Sequence, residues 1–297
     1  ETIEFNKKNV CNICTGTSYK NEEIDWSKRK EKLNQIISNH KNKSNYDCIV
    51  PFSGGKDSTF QLYYLMKEYN LKPLVIRFNH GFLRETTINN TTKVLKKLGA
   101  DFIDFTPNWK IVKKLMLESF IRKTDFCWHC HTGIFSYPLR MAILQKVPLI
   151  FYGESTSEMD SYTNFEDDEI DYFDEKKFNI KFNLGITADD MYNMLNKKDD
   201  PIDKRDLLPY TYPTQEEYKE NKLVPVALGS FIKWDASIQT DIIKKELNWE
   251  TDELEHIPDE YNPNGDKMEC FMQASRDYVK WLKRGYSRMT QINSQLV

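Results

Sequence analysis

The stretch VPFSGGKDST, residues 50–59, decides the fold of this 297-residue chain. An apolar run over residues 47–52 leads into Ser53 and two adjacent glycines, and apolar residues then recur at helical spacing from Phe60 to Met66. Adjacent glycines let a backbone turn sharply and approach a ligand closely. The first turn of a following helix presents unpaired N–H groups and the positive end of the helix dipole. The pattern therefore predicts a strand, an anion-binding loop and a helix, an arrangement that most often binds phosphate.

The polar residues of this loop indicate a phosphate site that differs from the Walker loop. The Walker pattern G-x-x-x-x-G-K-[ST] needs glycine and then serine or threonine where this chain has Val50 and Asp57. Ser53 and Ser58 supply hydroxyl donors, and Lys56 supplies a positive charge. We expect Lys56 and Asp57 to lie at an exposed loop edge and to be catalytic, with Asp57 either holding Mg²⁺ or capping the helix. The alternative, a plain strand-to-helix turn, is disfavoured by the full SGGKDS string.

Strands and helices alternate along the chain. Apolar runs predict strands at 47–52, 73–78, 101–105, 147–152 and 223–229. Helical spacing predicts a surface helix at 26–38 and further helices at 58–70, 84–98 (with Gly99 as its C-cap), 109–121, 236–247 and 271–282. This alternation predicts an α/β fold with a parallel sheet flanked by helices, whose ligands bind beyond the carboxyl ends of the strands. Residues at the carboxyl ends of two of the strands are therefore expected beside the loop as nucleotide contacts: Phe78, Asn79, Gly153 and Glu154.

Composition and charge disfavour several classes of function. The net charge is −3 and the sequence has no broad basic stripe, which disfavours a nucleic-acid partner. No apolar stretch approaches the roughly 20 residues of a membrane-spanning helix, and the start of the sequence has no secretory apolar region. We therefore expect a cytoplasmic protein without a membrane partner.

The six cysteines include two C-x-x-C pairs, CNIC at 11–14 and CWHC at 127–130. Without a secretory signal, such pairs indicate metal or redox chemistry rather than disulfides. One interpretation is a tetrahedral zinc site made by Cys11, Cys14, Cys127 and Cys130. Two others are a zinc knuckle that pairs Cys11 and Cys14 with residues upstream of this sequence, and an iron–sulfur cluster on Cys127, Cys130 and a third cysteine such as Cys270. The interpretation without metal is a pair of half-buried thiols near the start of a helix.

The SGGKDS string resembles the SGG-x-DS signature of the PP-loop ATP pyrophosphatases. Further strings resemble one family of that superfamily, the N-acetyl sugar amidotransferases of bacterial surface-polysaccharide synthesis. They run along most of the chain: F…VCNIC at 5–14, CWHCHTGI at 127–134, the run at 148–154, GSFIKWD at 229–235, DYVK at 277–280 and KRGYSR at 283–288.

The resemblance implies a fold, a reaction and a set of site residues. The fold is PP-loop, adenine nucleotide alpha hydrolase-like, with a small Cys-bearing N-terminal segment and a mostly helical C-terminal region. The reaction uses ATP and Mg²⁺ to adenylate the acetamido oxygen of a nucleotide-linked N-acetyl sugar. Ammonia from a separate glutaminase subunit then displaces AMP and leaves an acetamidino group. Two sets of residues are implied, Ser53, Gly54, Gly55, Lys56, Asp57 and Ser58 for ATP, and Lys233, Trp234, Lys283, Arg284 and Arg288 for the sugar nucleotide.

Two rival functions share the same loop. A PP-loop tRNA thiolase would carry an iron–sulfur cluster or zinc on its cysteines, but the net charge and the lack of a basic stripe disfavour it. A non-enzymatic nucleotide-binding module would not need the Lys56–Asp57 pair.

Composition and predicted secondary structure divide the sequence into three segments. We predict a metal-binding segment and helix at 1–44, an ATP-binding core at 45–160, and a substrate-binding region with the last strand and C-terminal helices at 161–297. Residues 166–175 hold seven carboxylates, which we interpret as a solvated loop.

Overall fold

The computed structural model describes residues 4–155, 183–197, 199–285 and 287. Within these ranges the chain forms a five-stranded sheet in the order β3-β2-β1-β4-β5, and every neighbouring pair is parallel. The strands are β1 (Cys48–Pro51), β2 (Pro73–Phe78), β3 (Asp101–Phe105), β4 (Leu149–Tyr152) and β5 (Val224–Ala227). The predicted parallel sheet is confirmed, and each strand lies inside the apolar run that predicted it.

Helices flank the sheet and fill its connections. The α-helices are α1 (Asn12–Glu22), α2 (Trp26–His40), α3 (Lys56–Glu68), α4 (Glu85–Leu98), α5 (Trp109–Lys123), α6 (Trp128–Gln145), α7 (Ala188–Leu195), α8 (Gln215–Glu220), α9 (Ala236–Leu247) and α10 (Gln273–Arg284). Three 3₁₀ helices span Lys204–Tyr210, Leu228–Ser230 and Asp259–Tyr261. Gly99 ends α4 with a φ of 70°, and its N–H donates to the Leu95 carbonyl, so the predicted C-cap is confirmed.

The order of the strands creates a crevice at one edge of the sheet. β1 is central, and the chain passes from it to β2 and β3 on one side and later to β4 and β5 on the other. The loops after β1 and β4 therefore diverge at the carboxyl edge, which is where open α/β sheets bind ligands. The SGGKDS loop follows β1, and Gly153 and Glu154 follow β4.

Two layers of helices cover the central strands. Successive strand residues point to opposite faces, so that Val50 packs in the layer that contains α2, α3 and α9, while Ile49 packs in the layer that contains α6. The predicted surface helix α2 buries a single apolar stripe, which includes Leu33 and Ile37, and exposes most of its charged residues. The two core layers thus bury both faces of the central strands behind the carboxyl edge of the sheet.

Helix α6 was not predicted from the sequence, although it has 18 residues. It contains Pro138 and is buried on most sides, so its apolar residues show no clear helical period. A Cβ on Gly133 would lie 2.3 Å from the ring of Phe78, so glycine lets α6 approach β2 closely. Because α6 begins at Trp128, it carries the second C-x-x-C pair at its first turn.

The second and third predicted segments share one sheet, because β5 from 161–297 pairs with β4 from 45–160. The acidic run at 166–175 and Arg288 lie outside the described residues. In the part of the chain that the structure describes, no helix combines the length and apolar character needed to cross a membrane.

Candidate functional site

The SGGKDS loop is shaped by its own serines. Gly54 has a φ of 87°, in the left-handed region that favours glycine. The Ser58 hydroxyl accepts hydrogen bonds from the N–H groups of Ser53 and Gly54 at 3.2 Å each, and the Ser53 hydroxyl accepts one from the Gly55 N–H at 3.2 Å. The serines that were predicted as ligand donors therefore also hold the turn in place.

Both glycines lie where a side chain would collide. A Cβ on Gly54 would lie 2.6 Å from Thr91 Oγ1, and one on Gly55 would lie 1.9 Å from Glu269 Oε1. Gly55 is the N-cap residue of α3, and no side chain caps the helix there. The first turn of α3 thus presents backbone N–H groups and the positive end of the helix dipole to the crevice.

Lys56 is buried, and the prediction of an exposed loop edge was wrong for this residue. Its Nζ lies 2.6 Å from Asp57 Oδ2 and 2.8 Å from Asp266 Oδ1. Burial lowers the pKa of Lys56, but the two carboxylates raise it by more, so the ammonium stays charged. The prediction failed because Asp266, 210 residues away in sequence, folds over the loop.

Asp57 connects the loop to two other strand ends. The Trp234 indole N–H, beyond β5, donates to Asp57 Oδ1 at 3.3 Å. Glu154, beyond β4, interacts with Asp57, and burial together with the Asp57 charge raises the pKa of Glu154 to about 7. A carboxyl group that titrates near neutral pH is suited to exchange protons during a reaction. Lys56, Asp57 and Glu154 therefore form a charged group at the switch point of the sheet.

The other residues predicted at strand ends have different environments. The Phe78 side chain is buried in the core, where it contacts Phe105, Tyr137 and Tyr210. Only the backbone of Phe78 is therefore able to contact a nucleotide. Asn79 Oδ1 accepts a hydrogen bond from the Gly81 N–H at 3.0 Å and thereby stabilises the turn after β2. Sequence reasoning could place these residues at the right edge but could not tell a core side chain from an exposed one.

The β4 end is joined to the string GSFIKWD at 229–235. The Gly229 N–H donates to the Gly153 carbonyl at 2.8 Å, and a Cβ on Gly229 would lie 2.9 Å from the Ser155 backbone nitrogen. Close approach of the two backbones places Trp234 edge-on to Phe60 of α3, with ring centroids 5.6 Å apart. Of the residues predicted to bind a sugar nucleotide, Trp234 thus lies at the loop.

The other predicted substrate residues that the structure describes are more exposed. Lys233 is exposed beside Trp234. Lys283 and Arg284 lie at the exposed end of α10, where the Lys283 ammonium donates to the Lys123 carbonyl at the end of α5. The structure therefore gives Trp234 a direct contact with the loop residue Asp57, and gives Lys283 a contact with α5.

The two C-x-x-C pairs lie at the starts of different helices. Cys11 is the N-cap residue of α1, and its Sγ accepts a hydrogen bond from the Cys14 N–H at 3.4 Å, whereas Cys127 and Cys130 lie at the start of α6. The described ranges include all six cysteines, and within them no three His, Cys, Asp or Glu side chains are grouped to hold a metal ion. The zinc site predicted from Cys11, Cys14, Cys127 and Cys130 is therefore not formed in this structure.

Cys270 lies near the second pair. Burial, with a smaller contribution from the charge of Cys270, raises the pKa of Cys127 to about 12 and that of Cys130 well above its ordinary value. The positive charge of Arg276 opposes this effect on both thiols. Cys270 reaches this position through a β-bridge with Leu83, beyond the end of β2. These three thiols have the donor chemistry of zinc and iron–sulfur sites, but they are not arranged around one point.

A C-terminal segment that the sequence did not single out completes the loop. In NPNGDKMEC, residues 262–270, Asp266 contacts Lys56, Glu269 contacts Gly55 and Cys270 lies near the C-x-x-C pair of α6. Trp249, just before it, donates from its indole N–H to the Gly54 carbonyl at 3.0 Å. Asn, Pro and Gly at 262–265 are typical turn residues, but no local pattern indicates that this segment crosses the sheet edge.

Comparisons with known proteins give partial and weak similarities. No protein-family model matches the chain. Over 103 residues it is 30% identical to the uncharacterized protein MJ1599 of Methanocaldococcus jannaschii, a match that covers 34% of this chain and 36% of that protein. The matched part therefore spans only about a third of the length of that curated relative.

Two solved structures share part of the backbone arrangement. One is the U34-tRNA thiolase NcsA from Methanococcus maripaludis with its [4Fe-4S] cluster, at 15% identity and a TM-score of 0.42, covering 98% of this chain and 85% of that one. The other is the NH3-dependent NAD synthetase from Campylobacter jejuni with nitrate, at 13% identity and a TM-score of 0.34, covering 78% of this chain and 100% of that one. At these TM-scores neither similarity indicates what this chain does.

Proposed function

We propose that the chain is a PP-loop enzyme that cleaves ATP to AMP and pyrophosphate in order to convert an acetamido group of a nucleotide-linked N-acetyl sugar into an acetamidino group. The observation that carries the proposal is the loop itself. Two closely packed glycines, a buried charged Lys56 and a helix start without a side-chain cap lie together at the switch point of a parallel sheet. Such a site stabilises negative charge on phosphate oxygens.

Fewer observations support the proposed binding of the acceptor sugar than support the ATP site. The string GSFIKWD resembles the sugar amidotransferases, and its Trp234 donates a hydrogen bond to Asp57 in the loop. A sugar that lies against Trp234 would have its acetamido oxygen close to the phosphates held by the loop. The further sugar-nucleotide contacts implied by the resemblance, Lys233, Lys283, Arg284 and Arg288, remain part of the proposal.

The proposed reaction balances without an external oxidant or reductant. The acetamido oxygen attacks the α-phosphorus of ATP, the bond to the β-phosphate oxygen breaks and pyrophosphate leaves. Ammonia then adds to the acetamido carbon, and the former amide oxygen departs as part of AMP. Adenylation is needed because the oxygen of an unactivated amide is a poor leaving group. Lys56 and the first turn of α3 neutralise the charge that develops on the phosphates.

Glu154 is the proposed proton acceptor. The nitrogen that adds to the acetamido carbon must lose protons before the acetamidino group is complete. The pKa of Glu154 is raised to about 7 by burial and by the charge of Asp57, so its carboxylate is able to take up a proton near neutral pH. Besides raising the pKa of Glu154, Asp57 holds the Trp234 indole and the Lys56 ammonium in place.

The proposal gives different roles to Mg²⁺ and to a metal bound by the cysteines. Mg²⁺ is usually bound by one or two carboxylates and by the substrate phosphates, and Asp57 has a carboxylate at the loop for that purpose. Zinc or an iron–sulfur cluster would need the thiols of Cys127, Cys130 and Cys270 to move together, since they are not grouped for a metal. No step of the reaction is assigned to those thiols.

The ammonia source is proposed to be a separate glutaminase subunit. Free ammonia is scarce at neutral pH, because the pKa of ammonium is close to that of a lysine amine. The isolated chain should therefore work with high concentrations of ammonium, better at raised pH, and should not use glutamine. A glutaminase partner should restore glutamine use and flatten the pH dependence.

The test is product analysis with labelled acceptors. The protein is incubated with ATP, Mg²⁺, ammonium and a panel of UDP- and CMP-linked acetamido sugars that carry heavy oxygen in the acetamido group. We expect AMP and pyrophosphate only when both acceptor and ammonium are present, with the heavy oxygen in AMP. Formation of AMP without transfer of the label would contradict the amide-activation step.

A second candidate, sulfur transfer to tRNA, is favoured by one observation. Cys270 joins Cys127 and Cys130 near the loop, as a thiol-dependent reaction would require. The assay separates the two functions, because a tRNA thiolase would form AMP with tRNA and a sulfur donor and would leave acetamido sugars unchanged.

A further inference from the structure

The segment 262–270 holds two carboxylates against the parts of the loop that a phosphate would contact. Asp266 Oδ1 lies 2.8 Å from Lys56 Nζ, the positive charge of the loop. Glu269 Oε1 would be only 1.9 Å from a Cβ on Gly55, so this carboxylate lies directly on the N-cap residue of α3. One acid therefore contacts the cation of the loop and the other contacts its helix start.

The backbone of the segment is fixed on both sides of these acids. Asn262 Oδ1 accepts a hydrogen bond from the Asp266 N–H at 2.9 Å, and Asn262 Nδ2 donates to the Asp266 carbonyl at 3.2 Å. Further on, the Arg84 N–H donates to the Glu269 carbonyl at 3.4 Å, and the Phe271 N–H donates to the Phe82 carbonyl at 3.0 Å. The fold thus delivers both carboxylates to the loop.

Phosphate and both acids cannot occupy Lys56 and the start of α3 together, because all of them are negatively charged groups. The ionisable groups that influence one another at the loop are the cations Lys56 and Lys267 and the acids Asp57, Glu154, Asp266 and Glu269. These acids outnumber the cations. A triphosphate would add several negative charges at the same place, and like charges at such distances repel strongly.

We propose that the segment 262–270 competes with nucleotide phosphate for the loop, with Asp266 and Glu269 as the competing anions. ATP must displace Asp266 from Lys56 and Glu269 from the start of α3 in order to bind. The same contacts re-form when pyrophosphate leaves, so the segment favours product release. This inference rests on the proposed function, because it takes the loop as the ATP site.

The experiment measures binding of ATP and of inorganic pyrophosphate by calorimetry, with and without Mg²⁺. The proteins are the wild type, Asp266→Asn, Glu269→Gln and the control Glu260→Gln, which removes the same charge from an exposed residue of a neighbouring 3₁₀ helix. Without Mg²⁺, each of the first two variants should bind both anions about three to ten times more tightly than the wild type, as expected when a carboxylate no longer competes for Lys56 or for the start of α3. Glu260→Gln should match the wild type.

Each other outcome has its own meaning. Equal or weaker binding of metal-free ATP and pyrophosphate by Asp266→Asn and Glu269→Gln would overturn the competition. Weaker binding confined to the Mg²⁺ arm, without the metal-free gain, would also overturn it and would assign the acids to metal binding. If neither the wild type nor any variant bound ATP or pyrophosphate, the nucleotide site itself would be refuted, and the competition with it.

Discussion

The indole N–H of Trp249 donates a hydrogen bond to the carbonyl oxygen of Gly54 at 3.0 Å. This bond joins the segment after α9 to the middle of the SGGKDS loop, and Trp249 is almost fully buried. Gly54 has a left-handed φ, and because glycine is conformationally permissive, this hydrogen bond helps to fix the orientation of its carbonyl group. The nucleotide loop is therefore held by the C-terminal region as well as by β1 and α3.

Replacing Trp249 with Phe should weaken both stability and nucleotide binding. The change removes the hydrogen bond to Gly54 and some core volume, so we expect the free energy of unfolding to fall by about 1–3 kcal/mol. The control is Trp281→Phe, since Trp281 is about half exposed and the same change should have little effect there. Chemical denaturation and ATP titration measure the two effects, and equal results for both variants would argue against the role of Trp249.

Gly54 and Gly99 both have a left-handed φ, but replacing each with alanine should destabilise the protein to different extents. Both substitutions carry the conformational cost of a left-handed residue, about 1–2 kcal/mol. At Gly99 nothing lies within 4 Å of the added Cβ, whereas at Gly54 it would lie 2.6 Å from Thr91 Oγ1 and 3.0 Å from the Thr87 carbonyl oxygen. Gly54→Ala should therefore destabilise the protein by about 1–3 kcal/mol more than Gly99→Ala and abolish AMP formation. Thermal unfolding and the AMP assay would show whether Gly54→Ala instead behaves like Gly99→Ala.

Removal of Lys56 should impair catalysis and also destabilise the fold. Lys56→Met leaves Asp57 and Asp266 facing each other without the ammonium that separates them. We expect about 1–2 kcal/mol of destabilisation, because both carboxylates are partly exposed, and at least about a hundredfold loss of AMP formation. The control Lys93→Met breaks the exposed pair with Glu250 and should cost little in either assay. Near-normal turnover of Lys56→Met would refute the nucleotide site.

The sheet was predictable from sequence and the packing over the loop was not. The apolar runs that became β1 and β4 and the glycine turn after β1 are local signals, and their meeting at one edge follows from parallel topology. The contact between Lys56 and Asp266 joins residues 210 positions apart and leaves no local pattern. Such contacts depend on tertiary packing, which sequence periodicity does not encode.

The cysteines show the same limit in another form. The C-x-x-C spacing marked each pair as a local unit, and in the structure both pairs lie at the start of a helix. The spacing could not show which distant residues lie near each pair. The predicted four-thiolate site therefore combined two pairs that lie on different helices. Cys270, which had been one of several options, is the cysteine that influences the pKa of Cys127 and Cys130.

Glu154 predicts a pH dependence of stability with a definite sign. Its folded-state pKa of about 7 lies above its ordinary value of 4.5, so the folded protein binds this proton more tightly than the unfolded chain. The stabilisation is present below pH 4.5 and is lost as the pH rises toward and through 7. Relative to the wild type, Glu154→Gln should gain stability over this window by at most about 1.4 kcal/mol per pH unit.

The measurement compares chemical denaturation of the wild type and Glu154→Gln between pH 5 and about pH 8, in buffer with a chelator. Taking the difference between the two proteins cancels the contributions of His80 and His129, whose pKa values are lowered to about 4 mainly by burial. A difference that does not change with pH would mean that Glu154 is ionised throughout. The proton-acceptor role proposed for it would then lose its support.

The last prediction concerns which cysteines bind metal, if the purified protein contains any. Zinc or iron on the thiols beside the loop should be lost in Cys127→Ser, Cys130→Ser and Cys270→Ser, because those three thiols lie near one another. The matched control is Cys14→Ser, whose thiol is exposed at α1 and should leave the metal content unchanged. Elemental analysis gives the metal content, and visible absorption distinguishes an iron–sulfur cluster from colourless zinc. Loss of metal from Cys14→Ser together with retention in Cys270→Ser would restore the four-thiolate site and contradict the arrangement described above.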